Sequence, residues 1–170
     1  MQTNLVLKWL TAGALLLSLI FVNISIFQKE QMLKEGTLVI LELAPVDPRS
    51  LMQGDYMVLN YSLALSLYEQ FWREEQTHPH STGTLVVELD QQHRAIRAHF
   101  AEKPSLQSQE VLMKYRLVRH RLQIGTPSYF FQEGQAKRFA NARYGEFRVS
   151  PDGTALLTHL LDEEGKRIEP

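Results

Sequence analysis

A short stretch around position 55 combines residue types from which a turn-based site could be built. It reads Gly54-Asp55-Tyr56-Met57-Val58-Leu59-Asn60-Tyr61. Glycine permits a turn with positive φ, and the aspartate that follows can accept backbone N–H bonds in such a turn. The tyrosines of the ensuing strand can pack in a core or, with the carboxylate, contact a ligand. The pattern favours a structural role for Gly54 and Asp55, and a ligand or partner site remains the alternative.

Basic residues are concentrated further along the chain, where Glu110–Leu122 is predicted to form one alternating strand. They are Lys114, Arg116, Arg119 and Arg121. A cluster of this kind could contact anionic lipid headgroups or an acidic partner. The alternative is an edge strand that its charges protect from aggregation.

Other chemistries find little support in the sequence. Two histidines and two carboxylates in the segment Glu74–His80 could bind a divalent metal, but this segment is predicted to be a solvated loop. The absence of cysteine excludes disulfides, thiol catalysis and cysteine-ligated zinc or iron–sulfur clusters. Pro48 and Gly54 loosely resemble the surroundings of the catalytic serine in type I signal peptidases, yet no hydroxyl precedes the proline where the nucleophile should lie. We therefore assign no reaction, metal or cofactor, and the sequence favours a non-enzymatic protein.

The elements that carry these residues begin with a helix that could cross a membrane. Leu5–Phe27 holds a single charged residue, Lys8. Trp9–Phe27 is close to the ~20 residues that cross a hydrocarbon core. The apolar run is long and lacks a small-residue cleavage site, which favours an uncleaved signal anchor over a cleaved signal peptide or a buried soluble helix. The helix is expected to continue as a stalk and to stop at Gly36.

Residues 1–35 are thus predicted to form an anchor and stalk, and residues 36–170 a β-rich domain. Apolar residues at helical spacing, led by Leu65 and Tyr68, predict an amphipathic helix over Ser62–Gln76, and Gln135–Ala142 could form one or two further helical turns. The short strands predicted are Gly36–Ala44, Tyr56–Tyr61, Thr84–Leu89, Arg94–Phe100, Glu110–Leu122, Tyr129–Phe131, Tyr144–Val149 and Thr154–Leu161. The pattern predicts an α+β fold, mostly antiparallel, with one or two helices.

The octapeptide follows the pattern G-D-Y-x-x-L-x-Y and resembles the motif of the bacterial GDYXXLXY family. Its motif residues are Gly54, Asp55, Tyr56, Leu59 and Tyr61. Further segments similar to that family are Pro45–Leu51, Tyr129–Gly134 (with Gln132 where proline is common), Arg148–Leu157 and the N-terminal helix. The resemblance implies membrane attachment and association with multi-span membrane proteins, and it implies no established activity.

These features predict a single-pass protein of the cytoplasmic (inner) membrane. The short N-terminal tail with Lys8 favours a cytoplasmic N-terminus and a periplasmic or extracellular domain. The expected partners are an integral membrane protein and membrane lipid, and the net charge of −1 gives no reason to expect nucleic acid. The leading hypothesis is a membrane-anchored envelope accessory protein. The alternatives are an extracytoplasmic binding module for an envelope polymer or small ligand, and an unrecognised hydrolase.

Overall fold

The computed structural model of the 170-residue chain describes residues 3–44, 56–73, 81–101, 106–119 and 121–169. The helices are α1 (Thr3–Glu35), α2 (Ser62–Arg73) and α3 (Ala136–Phe139). The strands are β1 (Thr37–Glu42), β2 (Tyr56–Val58), β3 (Thr82–Leu89), β4 (Ala95–Phe100), β5 (Glu110–Val118), β6 (Arg121–Ile124), β7 (Ser128–Phe130), β8 (Tyr144–Val149) and β9 (Ala155–Leu161). Every pairing between these strands is antiparallel, so the predicted α+β class is confirmed.

The chain divides into two compact units, Met1–Glu35 and Gly36–Pro170. The first consists of α1, whose part from Leu7 onward is long and apolar enough to cross a membrane. Its most apolar window has a mean hydropathy of 2.2, and none of that window is buried within the chain. Three polar side chains of this helix, those of Thr11, Asn23 and Ser25, each donate a hydrogen bond to a backbone carbonyl three or four residues earlier. Such internal bonds are what a helix in lipid requires of its polar side chains.

In the second unit, the first strand after the helix pairs with the C-terminal hairpin. The sheet order is β1-β8-β9, and Thr37 lies opposite Val149. Val39 and Leu41 alternate with more exposed neighbours and lie in the core beside Phe147. The hairpin formed by β8 and β9 lies where its turn residues predicted it, and so does the end of α1 before Gly36.

A four-stranded sheet, β4-β3-β5-β6, supplies the other large wall of the core. Helix α2 packs against this sheet through Ala64 and Leu67, which are buried. The prediction that Leu65 lies on the packed face was wrong, because it is 49% exposed. The rotation of the helix is set by Tyr61, which is buried directly before its first turn and places Ala64 and Leu67 at spacings of three.

The prediction of a single strand over Glu110–Leu122 was also wrong. The chain turns back after Val118, which pairs with Arg121, so that β5 and β6 form a hairpin. Arg119 adopts a left-handed conformation with φ 47°, which is unusual for a residue other than glycine. The reversal makes β6 an edge strand of the sheet, and it separates basic residues that were expected on one strand.

Candidate functional site

Of the family motif, Tyr56, Leu59 and Tyr61 lie within the described residues. Gly54 and Asp55 lie outside them, as does the lead-in segment Pro45–Leu51, so the structural role of Gly54 and Asp55 stays a prediction. The described half of the motif begins as a strand but remains in it only to Val58, whereas a strand to Tyr61 was expected.

Beyond β2, the motif crosses from one sheet to another. The Leu59 N–H donates to the carbonyl of Pro127 over 2.8 Å, and the Asn60 carbonyl accepts from the Ala44 N–H over 2.7 Å. The side chains of Leu59 and Tyr61 are buried. The second half of the motif thus links β1 to the segment before β7, and its backbone position is set by both contacts.

The two motif tyrosines have different environments. Tyr56 lies on the β2–β7 ribbon, with its ring centroid 5.6 Å from that of Phe130. Tyr61 points into the core, meets the ring of Phe147 edge-on at 5.7 Å, and donates its hydroxyl to the Thr126 carbonyl over 2.9 Å. Burial raises the pKa of Tyr61 well above its usual value, so the phenol stays a neutral donor.

Replacing Tyr61 by phenylalanine should therefore lower the free energy of unfolding by about 1 kcal/mol, because one part-buried hydrogen bond is lost and the ring is kept. Urea unfolding of the protein in detergent measures the effect. A stability equal to that of the wild type would show that the phenol has no structural role.

A groove of about 340 Å³ runs beside the motif. Its walls are the motif segment 58–61, the first turns of α2, all of β6, and Pro127. Consecutive side chains of a strand point to opposite faces. Because all four residues of β6 line the groove, the groove runs along the main-chain edge of that strand.

The part of the groove lining that the structure describes is mainly apolar, with one side chain that is charged at neutral pH. The exposed Leu65 and the half-buried Tyr68 of α2 face it, together with buried Leu122 and Ile124. The charge is that of Arg121, which is exposed. Among the described residues of the lining there is no histidine, serine or carboxylate, so these side chains form a binding surface and supply no acid–base pair or activated nucleophile.

The four basic residues singled out from the sequence do not lie on one strand, because β5 carries Lys114 and Arg116, the following turn Arg119 and β6 Arg121. Lys114 forms an ion pair with Asp152 and also donates to Thr154 over 3.0 Å. The hydrogen bond from Lys114, with others from Ser150 and Thr154, lowers the pKa of Asp152.

The three arginines lie on two strands and in the turn between them, and Arg116 and Arg121 are diagonal neighbours on one face of the β5–β6 hairpin. Arg116 lines a different groove of about 580 Å³, and Arg119 lies in the turn between β5 and β6. Arg121 alone joins the motif groove. The expectation that these cations share one strand was wrong, and their role in anion binding stays a prediction.

A buried carboxylate that sequence reasoning missed lies on β8. Glu146 is 6% exposed and accepts hydrogen bonds from Thr158 (2.9 Å) and Arg167 (3.1 and 3.2 Å), with His159 Nδ1 at 3.0 Å. Burial acts to raise the pKa of Glu146, but the bonds from Thr158, Arg167 and His159 outweigh it and lower that pKa. The cluster ties the C-terminal segment to the sheet. In the sequence, the only indication of this buried carboxylate is that an acidic residue stands between two other residues of β8 that are themselves buried.

No cluster of three or more potential metal ligands occurs among the described residues. The segment Glu74–His80 lies outside those residues. From the sequence, a metal site was considered there and a solvated loop was preferred. In the described part of the chain, the motif groove is the concave surface that includes residues of the family motif.

The comparison with protein families agrees with the motif. The sequence profile described as GDYXXLXY protein matches residues 18–160, from within the N-terminal helix to the last strand. No curated protein and no solved structure gives a significant match. Because the match covers most of the chain and includes the motif that lines the groove, this protein belongs to the GDYXXLXY family.

Proposed function

We propose that this protein is a membrane-anchored accessory protein of the bacterial envelope that acts beside an integral membrane partner. In this proposal α1 crosses the inner membrane once, its N-terminus is cytoplasmic, and the β-rich domain lies on the outer side. The observation that carries the proposal is α1 itself, an apolar helix of membrane-spanning length with no buried residue in its most apolar window.

One polar side chain supports a role for the helix beyond anchoring. Asn23 lies within the apolar run, and its side-chain amide donates one hydrogen bond to the Leu19 carbonyl. Its side-chain oxygen has no hydrogen-bond donor among the described residues. Amide side chains in membrane helices commonly hydrogen-bond across to a neighbouring helix. A neighbouring transmembrane helix would satisfy this group.

The groove supports the non-enzymatic character of the proposal. Its described lining consists of mainly apolar side chains, the amides of Asn60 and Gln123, and Arg121, and these residues lack the groups that general acid–base or nucleophilic catalysis requires. The same groove favours one second candidate function, an extracytoplasmic module that binds a small ligand.

A crosslinking scan tests the proposal. A photo-reactive amino acid is placed at successive positions from Thr11 to Ser25 of the full-length protein, and native membranes are irradiated. Adducts with one membrane protein are expected at positions that recur every three to four residues, because one face of a helix meets a neighbouring helix. The strongest adducts should include the face of Asn23, and Asn23→Leu should weaken them.

The control replaces the apolar run by leucine of equal length, which keeps the anchor and removes the specific face. The proposal would be contradicted if no position gave a protein adduct, or if adducts were equally strong on all faces of the helix. Either result would mean that α1 serves only as an anchor.

A further inference from the structure

We infer that the groove between β6, α2 and the motif segment 58–61 is a docking site for a polypeptide segment of the membrane partner. The segment presents a large apolar side chain next to an acidic one. The inference rests on the proposed function, because it supplies the partner's recognition chemistry at the domain.

The large apolar side chain of the proposed segment is inferred from the exposed face of α2. Leu65 is 49% exposed although it belongs to a helix whose opposite face is packed in the core. It borders a concave surface shared with Tyr68, Leu122 and Leu59. An apolar side chain that enters this concavity is removed from water on several sides, the setting in which single anchor residues dominate binding.

The acidic side chain of the proposed segment is inferred from the charge of the groove. Within the described lining, Arg121 is the one residue that is charged at neutral pH, and no carboxylate of the described residues pairs with it. Lys114 of the same sheet, by contrast, is held by Asp152. A free guanidinium at the mouth of an apolar groove is complementary to a carboxylate, which it can bind through two parallel hydrogen bonds.

The edge strand favours a polypeptide as the occupant. Among the described residues β6 pairs with β5 alone, and its main-chain edge lines the groove along all four residues. An extended segment can hydrogen-bond to such an edge while it places one side chain in the groove. The volume of about 340 Å³ accommodates one or two side chains and is too small for both acyl chains of a phospholipid.

The natural lack of cysteine makes a site-specific probe simple. Glu69→Cys places a thiol on the exposed side of α2, one helical turn from Leu65 and outside the groove lining. A photo-reactive label on this thiol is activated in membranes that contain the full-length protein. The same label at Gln92→Cys, in the turn after β3, is the control for random contact.

The label at Glu69→Cys should form an adduct with a peptide of an integral membrane protein in which an acidic residue adjoins a large apolar one. Arg121→Glu should reduce the adduct roughly tenfold, and Arg119→Glu, a neighbouring arginine outside the groove, should leave it unchanged. Changing the captured acidic residue to lysine should restore the adduct of the Arg121→Glu protein.

Equal yields in the two arginine variants, or a label found only on lipid or on a small molecule, would overturn the inference. A positive helix scan combined with a negative groove result would mean that the partner exists and docks elsewhere. Negative results in both experiments would remove the proposed function as well.

Discussion

Gly125→Ala is expected to lower the free energy of unfolding by about 2–4 kcal/mol, the sum of a backbone and a packing cost. Gly125 has φ +62°, where a side chain costs about 1 kcal/mol. An added Cβ would also lie 2.6 Å from Cε1 and 2.9 Å from Cζ of Phe147. Phe147 is fully buried, and Tyr61 packs against its ring, so a shift of the ring would disturb the packing of the core.

Gly134→Ala is the matched control, since Gly134 has φ +85° and an added Cβ there would meet nothing within 4 Å. It should cost only about 1 kcal/mol, the backbone term alone. Urea unfolding of the full-length proteins in detergent compares the two. If both variants lose the same stability, the Phe147 ring can yield and the packing cost is absent.

Arg167→Ala is expected to cost about 2 kcal/mol at neutral pH, because Glu146 would remain buried and ionised without its charged partner. Lys166→Ala is the control at the neighbouring, exposed position. Thermal unfolding of both variants gives the comparison. Equal losses would show that the Glu146–Arg167 ion pair does not stabilise the domain.

The same cluster predicts the dependence of stability on pH. The pKa of Glu146 is lower in the folded chain than its ordinary value of 4.5, so its ionised form stabilises the fold above that pH. This contribution is lost as the pH falls from about 4.5 towards the folded pKa. Melting temperatures between about pH 7 and pH 3 should therefore fall less for Glu146→Gln than for the wild type. Parallel curves would contradict the assignment.

Features that depend on local signals could be predicted from the sequence. The hairpin of β8 and β9 is marked by Ser150–Gly153, residue types that such turns require, and the end of α1 is marked by Gly36. The apolar run of α1 needs no tertiary context to be recognised as long and apolar enough to cross a membrane.

Features that depend on distant contacts could not be predicted. The turn between β5 and β6 uses Arg119, in a left-handed conformation that nothing in its residue type announces. The groove brings Arg121 to residues 58–61, and no pattern in one sequence shows that these segments meet. The burial of Glu146 could not be predicted, because the hydrogen-bond partners that compensate for it come from β9 and the C-terminal segment.

The pairing of β1 with β8 has a consequence for biosynthesis. The strand that follows α1 completes its hydrogen bonds with residues synthesised far later, and the Gly36 carbonyl accepts a bond from Arg148 across 112 positions. At ribosomal rates of roughly 5–20 residues per second, β8 is synthesised on the order of ten seconds after β1. The hairpins of β3 to β6 close over short loops and can form in that interval. The nascent domain thus passes through a stage in which an apolar strand is tethered and unpaired, and in which chaperone binding would protect it.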